Sequence, residues 1–160
     1  KNQPASGEFW NKEKLKELTP EEFEALVACL CQVSSGERAE LTIKSNDKGA
    51  DVIAWGYGDH HENCLIDAKH TSTNRPLASS QGVRQVHAAV KIYEDHYNQP
   101  FEIAQIVTNA PSVSAEVLAQ AKSCSVELIT LETLLSQLLN FPVTYQDIQS
   151  KLTEKRVKIL

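Results

Sequence analysis

Apolar and polar positions alternate along this chain with two different periods, and the switches between them outline its elements. Phe23, Leu26, Val27 and Leu30 recur at i, i+3, i+4 and i+7, the single apolar stripe of a helix packed on a core. Thr19-Pro20-Glu21-Glu22 starts that helix: a hydroxyl N-cap, a proline suited to the first position, and acids at the positive end of the macrodipole. Ser34-Ser35-Gly36 ends it, and a shorter helix is expected before it over Phe9 to Leu18. Leu41-Thr42-Ile43-Lys44 then alternates with period two. Asp51 to Trp55 and Cys64 to Lys69 are mostly apolar, and the polar, glycine-bearing turn between them predicts a hairpin. Helix is predicted from Gln81 to Tyr97, strand from Phe101 to Thr108, helix from Ser114 to Lys122 and strand from Val126 to Thr130. Leu131, Leu134, Leu135, Leu138 and Leu139 mark an amphipathic helix that stops before Pro142.

The order α-β-β-β-α-β-α-β-α joins a hairpin, which makes antiparallel neighbours, to helical crossovers, which make parallel ones. The expected fold is therefore α/β, a mixed β-sheet flanked by helices on both faces. An N-terminal extension or short helix is expected over residues 1–18, the core over 19–140, and a helical, basic tail over 141–160 with Lys151, Lys155, Arg156 and Lys158.

Composition narrows the class. With 160 residues, 41% apolar and 23% charged, the chain suits one folded domain and not a disordered segment. No run approaches the roughly 18 apolar residues of a membrane span, and Lys1-Asn2-Gln3-Pro4 begins no apolar signal region. Cys29, Cys31, Cys64 and Cys124 lie in apolar segments without CxxC spacing, which implies reduced thiols and a cytoplasmic setting. The absence of Met implies a processed product or a piece cut from a longer polypeptide. The net charge is −5, which ordinarily argues against a polyanionic partner. Yet no acid occurs between Asp67 and Glu94, where Lys69, Arg75, Arg84 and Lys91 stand together in sequence. A polyanion responds to the local patch within a Debye length of roughly 10 Å, so nucleic acid is not excluded.

The main chemical signal is Asp67 and Lys69 in the run Cys64-Leu65-Ile66-Asp67-Ala68-Lys69. Period-two geometry puts both on one face of the strand. Burying an ionised group there costs several kcal/mol unless it is compensated. Asp51 opens the preceding strand, and hairpin pairing brings it near Asp67. Two converging carboxylates repel unless a cation lies between them, and hard oxygen ligands suit Mg²⁺ or Mn²⁺. The Ala68 carbonyl can complete the metal shell. Such an ion polarises a phosphodiester and lowers the pKa of a bound water, while Lys69 orients that water or stabilises developing charge. The competing reading is an edge-strand ion pair, with Asp51 a turn residue.

These residues resemble the PD-(D/E)xK nuclease core, and most of all its Mrr-type restriction endonuclease branch. The resemblance rests on Asn46-Asp47-Lys48-Gly49-Ala50-Asp51, a glycine-bearing approach to the first acid, and on Leu65-Ile66-Asp67-Ala68-Lys69-His70. Phe23-Glu24 in the first helix, Thr108-Asn109-Ala110 after a strand, and Ser114 to Leu139 extend it, so that it covers about Thr19 to Leu139. It departs from the pattern at Ala50, where the family has proline, and at Asp67, where Mrr-type members often have Gln or Glu. The resemblance implies a restriction-endonuclease-like fold with Asp51 and Asp67 as metal ligands and Lys69 as the catalytic lysine. Glu24 becomes an auxiliary acid that helps hold the metal or its water, and Gln85 a polar residue near the site.

On the helix after the catalytic strand, Arg84, His87 and Lys91 form one stripe. With Arg75 in the preceding loop they are candidates for phosphate contact, which supplies affinity without sequence readout; a solvated helix face is the alternative. His60, His61 and Cys64 do not make a zinc site, because no second ligand pair follows. His70 is expected to pack on the face opposite Lys69. Taken together, the sequence is read as a Mg²⁺-dependent DNA endonuclease domain acting on duplex DNA, at least a dimer, and the effector part of a restriction or anti-phage defence protein. The rivals are a catalytically inactive nuclease-fold module for nucleic-acid binding or protein assembly, and an RNA-directed nuclease of the same fold.

Overall fold

Thr19 caps its helix as the sequence implies. Its Oγ1 accepts from the Glu22 N–H at 3.1 Å, and Glu22 Oε1 accepts in return from the Thr19 N–H at 2.9 Å, a reciprocal capping box. Gly36 closes the other end in the left-handed region, at φ +74°. The computed structural model describes residues 9–43 and 49–159. The elements in chain order are α1 (Lys12–Glu17), α2 (Pro20–Ser35), β1 (Ala39–Leu41), β2 (Val52–Tyr57), β3 (Glu62–Lys69), α3 (Gln81–Tyr97), β4 (Ile103–Thr108), α4 (Ala115–Cys124), β5 (Glu127–Ile129), α5 (Leu131–Asn140) and α6 (Tyr145–Leu152).

The five strands lie in sequence order. β1, β2 and β3 pair antiparallel, while β3, β4 and β5 pair parallel through helical crossovers. This is the mixed α/β sheet expected, with helices on both faces. On one face, α1, α2, α5 and α6 bury Leu15, Phe23, Leu26, Leu134 and Ile148 against Val52, Ala54, Cys64, Ile66 and Val107. On the other, α3 and α4 bury Val83, Val86, Ala89, Tyr93, Val117 and Ala121 against Ile53, Leu65, Ala104 and Ile106. Alternation along β3 sends Asp67 and Lys69 to the α3 face with Leu65, and Ala68 to the α2 face with Ile66.

Differences from the expected elements lie at their ends. β1 is shorter than the expected strand to Lys44, which lies outside the described residues. β2 runs on to Tyr57 and leaves Asp51 just before it, and β4 begins at Ile103. Phe101 is instead drawn into the core, its N–H bonded to Glu94 Oε2 at 2.9 Å. The tail contains α6, whose capping box joins Thr144 and Asp147. Beyond it Val157 pairs with the end of β1: its N–H donates to the Leu41 carbonyl (2.8 Å), and its carbonyl accepts from the Ile43 N–H (2.9 Å). All four cysteines are free thiols.

Candidate active site

β3 ends where β2 begins, and the charged residues meet at that edge. Asp67 is 5% exposed, and Lys69 Nζ lies 3.3 Å from its Oδ2. The partners are unequal: the aspartate side chain is nearly enclosed, whereas that of lysine is 38% exposed. Lysine thus supplies the charge a buried carboxylate requires while keeping its ammonium within reach of solvent. Asp51 is tied to the same strand twice. Its N–H donates to the Ile66 carbonyl (2.8 Å), and its Oδ2 accepts from the Ala68 N–H (2.8 Å). The amide it grips is the one joining Asp67 to Ala68, so the Asp51 carboxylate meets β3 at the residue between Asp67 and Lys69. Within a strand the N–H and C=O of one residue face the same neighbour, so the Ala68 carbonyl is directed to the Asp51 side as well.

Polar groups outside the charged trio brace this edge. Thr42 Oγ1 donates to the Ala50 carbonyl (2.6 Å), and its N–H donates to the Asp51 carbonyl (3.0 Å). At the end of β4, Thr108 Oγ1 donates to the Lys69 carbonyl (2.7 Å). Asn109, 2% exposed, accepts from the Thr71 N–H and donates to the Thr71 carbonyl, both at 2.8 Å. In the sequence Thr108 and Asn109 stand out only as part of the family resemblance, and nothing there announces their bracing role. The loop after β3 is held again at Leu77, whose N–H donates to the Ser112 carbonyl (3.0 Å) and whose carbonyl accepts from the Ser114 N–H (2.9 Å). His70 packs away from the site as expected: its Nε2 lies 2.9 Å from the Leu15 carbonyl and its ring 5.5 Å from that of Phe23.

Residues 15–138 match the family model Mrr_cat, described as "Restriction endonuclease". The chain belongs to that family. No curated protein matches it. Among solved structures this nuclease-family domain is similar to one described as "Crystal Structure of Protein of Unknown Function AF1548", at 17% identity and a TM-score of 0.56, over 78% of this chain and 72% of that one. It is also similar to one described as "Structure of EndoMS-dsDNA2 complex", at 19% identity and a TM-score of 0.45, over 72% of this chain and 46% of that one.

The remaining candidates of this restriction endonuclease family domain fall at varying distances from the trio. Glu24 is buried, at 5% exposure, on the helical layer across the sheet from α3. Its Oε1 lies 3.4 Å from Arg156 Nη1, which also donates to the Thr42 carbonyl at 2.8 Å. Among the described residues no three His, Cys, Asp or Glu side chains gather to hold a metal ion, so Glu24 does not join Asp51 and Asp67 in a three-acid cluster. Gln85 is exposed on α3, and its backbone meets the Asp51 loop: a Cβ placed on Gly49, where φ is +92°, would come 2.5 Å from the Gln85 carbonyl oxygen. The Asn46-Asp47-Lys48 part of that loop lies outside the described residues. Arg75, Arg84, His87 and Lys91 are all exposed. Arg84 Nη1 donates to the buried Ser80 hydroxyl (2.5 Å), which donates in turn to Glu116 (2.8 Å). Lys91 is held by Asp95 at 3.0 Å, and that hydrogen bond raises its pKa. His60 and His61 stay in the exposed part of the hairpin or at its edge, while the Cys64 thiol is buried and its pKa pushed well up by desolvation, so they form no zinc site.

Proposed function

We propose that this domain hydrolyses DNA phosphodiesters with a divalent metal ion, Asp51 and Asp67 holding the ion and Lys69 acting on the reacting phosphate. The observation that supports this reading is the Asp51 carboxylate bonded to the Ala68 N–H, between Asp67 and Lys69 on β3, with an accessible lysine 3.3 Å from the buried acid. The donor set fits a hard cation. Two carboxylate side chains and the Ala68 carbonyl are oxygen ligands, and Mg²⁺ is commonly bound through one or two carboxylates while retaining waters. Mg²⁺ or Mn²⁺ is the cation this oxygen set would suit. When bound, the ion polarises the phosphodiester and acidifies a water.

The chain's own groups supply the rest. Asp51 is immobilised by the Ala68 N–H and by Thr42, so its oxygens are presented in a fixed direction. Lys69, anchored at its carbonyl by Thr108, donates to the attacking water or to the phosphoryl oxygens as one P–O bond forms and another breaks. Arg75, Arg84 and His87 are exposed and would meet the phosphate backbone of a bound duplex. Lys91, already paired with Asp95, would contribute less. Duplex DNA cut by a dimer, and an effector role in restriction or anti-phage defence within a longer protein, complete the reading.

Cleavage of duplex DNA, single-stranded DNA and RNA, each with Mg²⁺ and with EDTA, tests it. Mg²⁺-dependent scission of duplex DNA is expected. No scission of any of the three under either condition would contradict the enzymatic reading, and scission of RNA alone would move it to the RNA-directed rival.

A further inference from the structure

Gly82, in the first turn of α3, lies against the charged pair. A Cβ placed there would come 2.5 Å from Asp67 Oδ2 and 2.6 Å from Lys69 Cε, closer than real Cβ contacts allow. Its backbone does not demand glycine. Of the five glycines among the described residues, Gly36, Gly49, Gly56 and Gly58 have positive φ, and Gly82 does not. Within a helix glycine is less stable than alanine, so local structure alone favours alanine at this position. The site is what needs the space.

We propose that Gly82 is a positioning residue of the active site: by lacking a side chain it lets α3 close over Asp67 and Lys69 and sets the place of both groups. This rests on the nuclease reading above. The adjoining contact supports it, because Gly49 lets the Asp51 loop approach α3 at the Gln85 carbonyl in the same way, 2.5 Å from a would-be Cβ. The first turns of α3 are thus pressed on the site from two sides, against the lysine–aspartate pair and against the loop that carries Asp51. A methyl group at position 82 must push either α3 outward or the Asp67 and Lys69 side chains aside. Displacement of a reacting group by about 1 Å can cost on the order of 10²-fold in rate.

The test is Gly82→Ala beside Gln81→Ala, a neighbouring exposed position as control. Each is measured for Mn²⁺ affinity by titration calorimetry, for kcat and KM on duplex DNA, and for melting temperature. Gly82→Ala is expected to weaken Mn²⁺ binding tenfold or more and to lower kcat by about 10²-fold. KM should stay within about threefold and the melting temperature should fall by no more than about 4 °C, the helix preference for alanine offsetting part of the crowding; Gln81→Ala should alter none of these. Unchanged Mn²⁺ affinity and kcat in Gly82→Ala would overturn the proposal, and so would a larger fall in melting temperature in parallel with lost activity, which would mark a structural role. If wild type binds Mn²⁺ but cuts no DNA, while Gly82→Ala binds it more weakly, the nuclease reading fails and the positioning role stands. Wild type that neither binds Mn²⁺ nor cuts DNA removes both.

Discussion

Asn109 shows how much of the site depends on groups that never touch the chemistry. Its amide trades two 2.8 Å hydrogen bonds with the backbone of Thr71, two residues beyond Lys69. Asn109→Ala would leave a buried backbone donor and acceptor unmet, a cost of about 1–3 kcal/mol each when water cannot replace the partner. Chemical denaturation is expected to show a loss of that order, with the loop after β3 losing protection in hydrogen exchange. Full protection of Thr71 in the variant would show that the amide is dispensable. From sequence, Asp51, Asp67 and Lys69 were legible because charge in an apolar strand is physically anomalous. Asn109 and Thr108 were visible only through the family resemblance and their bracing role was not, because a polar residue at a strand end is ordinary. Glu24 came only with the family resemblance, as an auxiliary acid, and its partner not at all: Arg156 lies 132 residues away, and no local pattern announces the pair.

At the scale of elements, α3 divides its positive stripe into two parts. Arg84 is braced through Ser80 to Glu116, which holds the helix start beside the site, whereas Lys91 is occupied by Asp95. Phosphate contacts set the salt dependence of DNA affinity, each lost contact lowering the slope by roughly one. Arg84→Ala is therefore expected to weaken duplex binding and flatten its salt dependence by about one contact, while Lys91→Ala changes both little. Fluorescence anisotropy across a salt series distinguishes them, and equal effects would assign Lys91 to the interface after all. The helix itself was readable from its apolar period. The division of its charged face was not, since i, i+4 pairing with Asp95 competes with any external anion on equal sequence evidence.

Across the whole molecule, the family match ends at residue 138, yet the packing continues past it. The Trp10 indole donates to the Val143 carbonyl (2.7 Å), and Lys151, 4% exposed, donates from Nζ to Gln32, to the Ala39 carbonyl and to Glu154. Basic residues in a tail read as solvated charge. Here one of them is enclosed, which only the packing of α6 on α2 and the sheet edge could reveal. Lys151→Ala is expected to cost about 2–4 kcal/mol, the scale for leaving the Ala39 carbonyl and the Gln32 amide oxygen without their donor, since Glu154 stays solvated, and Lys151→Met less, because its volume fills the space. A loss below 1 kcal/mol in urea unfolding would contradict that placement. The layer beneath α2 also sets the alkaline limit. Burial pushes the Cys31 thiol and the Tyr57 phenol up to about 12, and the Cys29 thiol to about 11. With folded pKa values above the unfolded ones, these groups leave stability intact below about pH 8.5 and remove it as the pH rises from there through 12. The urea midpoint should fall steadily above pH 9, and less steeply in Cys31→Val; a flat profile to pH 11 would contradict the burial.

The chemistry is assigned to the edge where Asp51 and Lys69 flank the Ala68 peptide, and nicking of supercoiled plasmid by wild type, Asp67→Ala and Lys69→Met tests that edge most directly. Wild type should nick in Mg²⁺ and not in EDTA, and each variant should lose about 10²–10³-fold or more in rate with its fold intact. Equal Mg²⁺-dependent nicking by all three proteins would contradict the assignment of this site.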